Sequence, residues 1–312
     1  MTKRQIGNAD LYASPLILGI MRMADKSTKE AAVALETAFD HGIYHIDSAD
    51  IYGKGEADSR FGQALKASSL NRDDLIIQNK AGIVIKEAGG PRYDFSKAHL
   101  ISAVDQSLEK MGIDYLDNFL LHRPDPLMQV EEVAEAFYYL KHSGKVRHFG
   151  VSNFNPSQIE FLQSALLDKL QTNQLQFGLM HADMISQGVN TNMSYDEGAS
   201  ENGNAGLIEY CRFKQITIQA WSPFQFGMIQ GSFIDHPDFP ELNAKLAELA
   251  DRHQVGKNAI AAAWILKHPA NMQVIIGTMT PDHIKDSAQA AHIKLSNQEW
   301  YDLYLAAGHP LP

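Results

Sequence analysis

The sequence predicts a (β/α)8 TIM barrel, and three observations carry the prediction. Short apolar runs recur eight times and end at Gly19, Asp47, Lys80, His122, Ser152, Gln176, Trp221 and Gly277. Helical segments lie between them, the alternation expected of a parallel sheet covered by helices. The 312 residues show no composition break, so a single barrel domain over 1–312 is expected. The alternative is a doubly wound open sheet, which usually carries a glycine fingerprint after its first strand. Here the first strand, Leu16-Ile17-Leu18-Gly19, runs into Ile20-Met21-Arg22-Met23 without one.

Ahead of that strand, residues 4–14 have turn chemistry at Gly7-Asn8-Ala9-Asp10. They are expected to form a β-hairpin closing the barrel bottom. Residues 28–40 read as an alanine-rich helix with Thr28 as N-cap and Gly42 just past its end. A second helix, 96–110, opens on Ser96 and stops before Gly112. A third, 258–267, stops before Pro269. Residues 183–206 are polar and rich in Gly, Asn and Ser. Following the sixth strand, they read as an insertion or a lid over the active face.

Composition narrows the function. The chain is 45% hydrophobic and 21% charged, which is ordinary for a globular protein. Its net charge of -10 argues against a nucleic-acid partner, which needs a basic face. No run of 18 apolar residues is present, so no membrane partner is expected. The first residues lack the apolar region of a signal peptide, and Cys211 is the only cysteine. A cytoplasmic protein is the expectation, with Cys211 a buried structural thiol.

In a barrel the C-terminal strand ends converge on one face, where the chemistry sits. This sequence delivers Asp47, Lys80 and His122 there from three successive strands, with Tyr52 just beyond the first. A phenol is a weak acid, and an adjacent ammonium stabilises its phenolate. Lys80 supplies that ammonium if Asp47 holds it, and His122 adds a second donor. The set suits a reaction that builds charge on a carbonyl oxygen and then protonates it. Hydride addition to an aldehyde or ketone does so, with the hydride supplied by a cofactor. Ser152, Asn153 and Gln174 suit a carboxamide, and Trp221 suits a flat ring. Thr280-Pro281 reads as a helix start offering free N–H groups to a phosphate. Competing chemistries lack their motifs: there is no G-x-S-x-G and no H-E-x-x-H. His41 and His45 are separated by the helix-breaking Gly42, so no metal is expected.

These residues resemble the aldo-keto reductase family over nearly the whole chain. The resemblance rests on Ile43-Tyr44-His45-Ile46-Asp47-Ser48-Ala49-Asp50-Ile51-Tyr52-Gly53 and on Leu120-Leu121-His122-Arg123-Pro124-Asp125. It rests also on Gly144-Lys145-Val146-Arg147-His148-Phe149-Gly150-Val151-Ser152-Asn153-Phe154 and on Ala220-Trp221-Ser222-Pro223. Residues 123–128 and 308–312 are similar to a bacterial, YdhF-like oxidoreductase subgroup. The resemblance implies NADPH-dependent carbonyl reduction, with NADH as the other cofactor to consider. It implies Tyr52 as proton donor, Lys80 and Asp47 as the pair that tunes it, and His122 as the residue orienting the carbonyl. It implies cofactor contacts from Ser152, Asn153, Gln174, Trp221, Ser222, Phe224 and Gly227, then Gly277, Thr278, His283 and Asp286. Gly277 and His283 stand where many members place a lysine and an arginine around the 2′-phosphate. Met21 stands where many have tryptophan. Arg22 beside it reads as a structural salt bridge or as an attractor of acidic substrates. The expected partner is a small carbonyl compound and the expected state a monomer. A rival class is a cofactor-sensing binding module resembling channel β-subunits; a metal-free hydrolase is the third.

Overall fold

The computed structural model describes residues 3–85, 90–190, 206–227 and 230–312. Eight parallel strands close into a barrel: β1 (Leu16–Gly19), β2 (His45–Asp47), β3 (Ile76–Ala81), β4 (Leu116–Leu121), β5 (Val146–Ser152), β6 (Thr172–Gln176), β7 (Thr217–Trp221) and β8 (Gln273–Ile276). They pair in chain order, and β8 returns to β1 through Val274↔Leu16. The strands are short and buried on both faces, which is why each appeared in the sequence as an apolar run with a polar end.

The hairpin at the bottom forms as expected, with Arg4–Gln5 antiparallel to Tyr12–Ala13. Its turn is tied to the N-terminal strand ends. Gly7 N–H donates to Thr217 Oγ1 at 2.8 Å, Asn8 N–H to Gln171 Oε1 at 2.9 Å, and Arg4 to the carbonyl of Met272.

Helix α1 (Thr28–Asp40) is capped by Ser27 and not by Thr28. Ser27 accepts from Glu30 N–H while Glu30 accepts from Ser27 N–H, a reciprocal capping box that Thr28 has no partner to build. Helix α2 is Ala57–Ala67, and α3 (Lys97–Met111) starts on Ser96 and ends at Gly112 in the left-handed region. Helices α4 (Val130–His142) and α5 (Pro156–Gln163) follow β4 and β5. The polar stretch begins with α6 (Asp183–Val189); the rest of the lid reading, 191–205, lies outside the described residues. Beyond it come α7 (Leu207–Lys214), α8 (Pro240–His253), α9 (Lys257–Lys267), α10 (Pro281–Ala288) and α11 (Asn297–Ala306).

Two different interiors result. The apolar one lies between sheet and helices, with Leu16, Leu18, Ile46, Ile77, Phe119, Phe149 and Trp264 in one cluster. Trp264 stacks on Trp300 at 4.9 Å and on Phe177 at 5.4 Å. The other is the barrel lumen, and it is largely polar. His45, Gln78, Asn118, Thr172, Gln219 and Gln273 are all fully buried there. Gln78 on β3 exchanges hydrogen bonds with Gln219 on β7, two strands that do not neighbour each other, so these bonds cross the lumen. Among the described residues no helix is long and apolar enough to cross a membrane.

Candidate active site

Asp47 is the last residue of β2 and is registered against Gln78 on β3. Lys80 stands two residues further along β3, on the same inward face, so its side chain reaches back to Asp47. Its Nζ donates to both Asp47 oxygens at 2.7 Å and to the Ser48 carbonyl at 2.6 Å. The Lys80 charge also acts on Tyr52. An ammonium has no lone pair to accept the phenol proton, so Tyr52 Oη keeps that proton free to donate. The Tyr52 ring lies 4.9 Å from Nζ and meets the His122 ring edge-on at 5.9 Å. Two left-handed residues, Gly53 (φ 56°) and Lys54 (φ 60°), turn the chain after Tyr52. A Cβ on Gly53 would meet Ala24 Cβ at 2.3 Å, so the turn demands glycine there.

Electrostatics assigns the protonation states. Burial opposes the charge of Lys80, but Asp47, Tyr52 and their hydrogen bonds outweigh it and hold the amine above its ordinary value. Burial likewise pushes Tyr52 up; the Lys80 ammonium pulls it down without overcoming burial. The direction for Tyr52 is therefore opposite to what the ammonium alone would give. Burial, with Lys80 and Arg123 nearby, drives His122 well below its ordinary value, so it is a neutral imidazole. Its Nδ1 is buried with no hydrogen-bond partner among the described residues.

The amide set lines the same cavity. Asn153 adopts φ 63° after β5, a strained position that asparagine tolerates. Its Nδ2 donates to Ser152 Oγ at 2.8 Å, and its Oδ1 accepts from Trp221 Nε1 at 3.1 Å, which fixes the indole. Ser222, at φ 49°, turns the chain after that indole. Gln174 Nε2 donates to Asp47 Oδ1 at 2.9 Å, leaving Gln174 Oε1 without a donor among the described residues. A cavity of about 790 Å3 joins these groups. It is lined by Tyr52, His122, Ser152, Asn153, Gln174 and Trp221, and further out by Ser222, Phe224, Gly277, Thr278 and His283. Lys80 lies beneath Tyr52 and does not reach the cavity wall.

Four outer residues stand differently from expectation. Among the described residues Arg22 forms no salt bridge; its Nη1 donates to the Gly277 carbonyl at 2.9 Å. Asp286 does not line the cavity, because its Oδ1 accepts from Gly256 N–H at 2.8 Å at the start of α9. Gly227 is also off the wall, its carbonyl held by Gln176 Nε2 at 2.8 Å. Thr280 caps α10 by position, but its side chain makes no capping bond, so the first-turn N–H groups stay open. Cys211 is buried and its thiol is pushed up to about 12 by burial, as a structural thiol should be.

The lumen network was not visible in the sequence. Gln78 Nε2 donates to Asp47 Oδ1 at 2.7 Å and to Gln219 Oε1 at 2.8 Å. Gln219 Nε2 donates onward to Gln273 Oε1 at 3.0 Å, and Gln273 Nε2 meets His45 Nδ1 at 3.2 Å. Asp47 thus takes donors from Lys80, Gln78 and Gln174, which fixes the carboxylate in place. At the far end His45 is fully buried, its Nε2 unpartnered among the described residues, and burial lowers it to about 4. A depressed histidine contributes stability above its unfolded value near 6.5, and that contribution is lost as pH falls. His45→Gln is expected to remove about 3 kcal/mol of the acid destabilisation between pH 7 and 4. Denaturant melts of both proteins across that window check it; parallel pH curves would refute it.

The pattern of the aldo/keto reductase family matches residues 15–304. The chain belongs to the aldo-keto reductase family. It is an NAD(P)H-dependent oxidoreductase of carbonyl compounds. A 6-dehydroglucose reductase of Agrobacterium fabrum is 33% identical over 306 residues, covering 95% of each chain. Oxidoreductase YdhF of Escherichia coli is 32% identical, covering 96% of this chain and 95% of its own, in keeping with the YdhF-like subgroup. The crystal structure of an aldo-keto reductase from Klebsiella pneumoniae in complex with NADPH superposes with a TM-score of 0.77. It covers 100% of this chain and 98% of its own at 24% identity, a likeness of fold.

Proposed function

We propose that this aldo-keto reductase reduces an aldehyde or ketone to the alcohol with NADPH, and that Tyr52 is the proton donor. The observation that carries this reading is the order of contacts Asp47–Lys80–Tyr52 beside a neutral His122, in a cavity also lined by Ser152, Asn153, Gln174 and Trp221.

The residues present fit a nicotinamide dinucleotide. The cavity lies within the range of small-molecule sites, about 300–1,000 Å3. Gln174 Oε1 has an open acceptor for a carboxamide N–H, with its other end pinned by Asp47. The Trp221 face is half-exposed and its orientation is fixed. Arg22, Lys26 and the open first turn of α10 suit phosphates. When bound, the reduced nicotinamide supplies the hydride.

The chain's own residues do the rest. His122, neutral, donates a hydrogen bond to the substrate oxygen and fixes its direction. Tyr52 Oη gives that oxygen its proton as negative charge develops there. Lys80 stabilises the phenolate left behind, and Asp47 prevents the ammonium from losing its own proton. Trp221 and the closed floor of the lumen keep bulk water from the reacting carbon.

Cofactor choice is tested by titrating the protein with NADPH and NADH and following the quenching of its three tryptophans. NADPH is expected to bind at least about tenfold tighter, about 1.4 kcal/mol. Thr278, the open turn of α10 and Arg22 take the place of the lysine and arginine common at Gly277 and His283. Equal binding would remove the 2′-phosphate from this account, and no binding of either would sink the reductase reading.

A further inference from the structure

Resting on the reductase reading above, we propose that Arg123 recognises a carboxylate on the substrate, so that the preferred substrates are oxo acids. Arg123 follows His122 directly at the end of β4 and lines the same cavity. Its guanidinium carbon lies 5.7 Å from the centre of the Trp221 ring, and its charge acts on both Tyr52 and His122. It therefore stands over the place where the carbonyl must sit. It is half-buried, and among the described residues it makes no hydrogen bond and no ion pair, only this contact with Trp221.

Of the other charges on the wall, Lys26 is assigned above to the cofactor phosphates, and the rest are committed. Asp47 is bound by Lys80, and Asp235 is paired with Lys257 at 2.5 Å. Arg22 is spent on the Gly277 carbonyl, on the side where the cofactor phosphates are expected. Arg123 thus sits near a buried ammonium with no counter-charge, an arrangement that an incoming anion relieves. One guanidinium with a free edge matches one carboxylate, through two parallel N–H···O bonds. A phosphate would call for further donors. The contact with Trp221 holds the guanidinium over the cavity by cation–π attraction. The chain's net charge of -10 makes a cationic spot at the site a local feature, not a reflection of the whole surface.

Two measurements test the proposal, and one of them needs no turnover. Butanoate and butanamide are titrated against the protein saturated with NADP+, following tryptophan fluorescence. Butanoate is expected to bind at least tenfold tighter, Arg123→Met to erase the difference, and Arg123→Lys to keep part of it. The kcat/KM values of 4-oxobutanoate and its methyl ester, with NADPH, are then compared. The acid-to-ester ratio is expected to exceed ten in the unaltered protein and to fall below two in Arg123→Met. Equal affinity for the acid and the amide, or a preference that survives Arg123→Met, would overturn the proposal and leave Arg123 a donor to neutral oxygens. Failure to reduce even the ester would overturn the reductase reading instead, and the butanoate titration would still decide on Arg123.

Discussion

Tyr52→Phe is expected to bind NADPH as the unaltered protein does and to lose between about 10² and 10⁴ of kcat. That range corresponds to about 3–5 kcal/mol of transition-state stabilisation. The substitution deletes one oxygen and keeps the ring that meets His122 edge-on at 5.9 Å and lies 4.9 Å from Lys80 Nζ. The residues proposed to contact the cofactor are left unaltered, so its binding should not change. The loss is in proton delivery, so it appears in single-turnover rates as fully as in the steady state. The pH profile follows from the same electrostatics. Burial holds Tyr52 above 10 and His122 well below 6.5, so both keep their working forms across neutral pH. A flat kcat/KM between about pH 7 and 9 is expected for the unaltered protein. A Tyr52→Phe variant within tenfold of normal turnover would remove Tyr52 from the role of proton donor.

Much of the architecture was legible because parallel strands buried on both faces leave a plain trace. Each barrel strand lies within a residue of an apolar run in the sequence, from Leu16–Gly19 to Gln273–Ile276. The polar residue that ends a run sits on the catalytic face, so Asp47 and His122 announced themselves, with Lys80 one residue short of its strand end. The true cap of α1 also has a sequence signal: Ser27 and Glu30 stand three apart, the spacing of a capping box.

What the sequence hid is set by distances across the lumen. Thr217-Ile218-Gln219-Ala220-Trp221 reads as an ordinary strand. Nothing local tells that Gln219 meets Gln78, 141 positions away, inside a closed barrel. The partner of Arg22 is equally unreadable, being a backbone carbonyl 255 positions away at Gly277. The upward direction of Tyr52 was hidden for a related reason. The ammonium could be read from the strand ends, but the opposing burial arises only when the loop folds over it. Arg123 is the converse case. It was visible as part of a motif, and only the structure shows it on the cavity wall with no ion pair among the described residues.

The second large effect concerns stability, and the lumen network sets its sign. Asp47→Leu leaves the Lys80 ammonium fully buried with the Ser48 carbonyl and Tyr52 as its remaining partners. Removing one member of a buried pair typically costs about 3–5 kcal/mol, and that loss is expected here. Lys80→Met should be milder, because Gln78 and Gln174 still donate to the Asp47 carboxylate at 2.7 and 2.9 Å. The double variant, Asp47→Leu with Lys80→Met, should recover most of the loss, since no uncompensated charge remains. None of the three should turn over substrate. The pH dependence separates this account from simple misfit of the leucine. In the unaltered protein Lys80 is held above 10.5, so its contribution is complete at neutral pH and is lost only as pH rises through that higher value. Without Asp47 the leading influence on Lys80 is burial, which lowers it. The folded variant then favours the neutral amine, and its stability deficit should shrink as pH is raised from about 7 towards 10. Denaturant melts of the four proteins at both ends of that range measure this. A deficit of Asp47→Leu that does not change with pH would show a packing defect, and the double variant would then fail to recover.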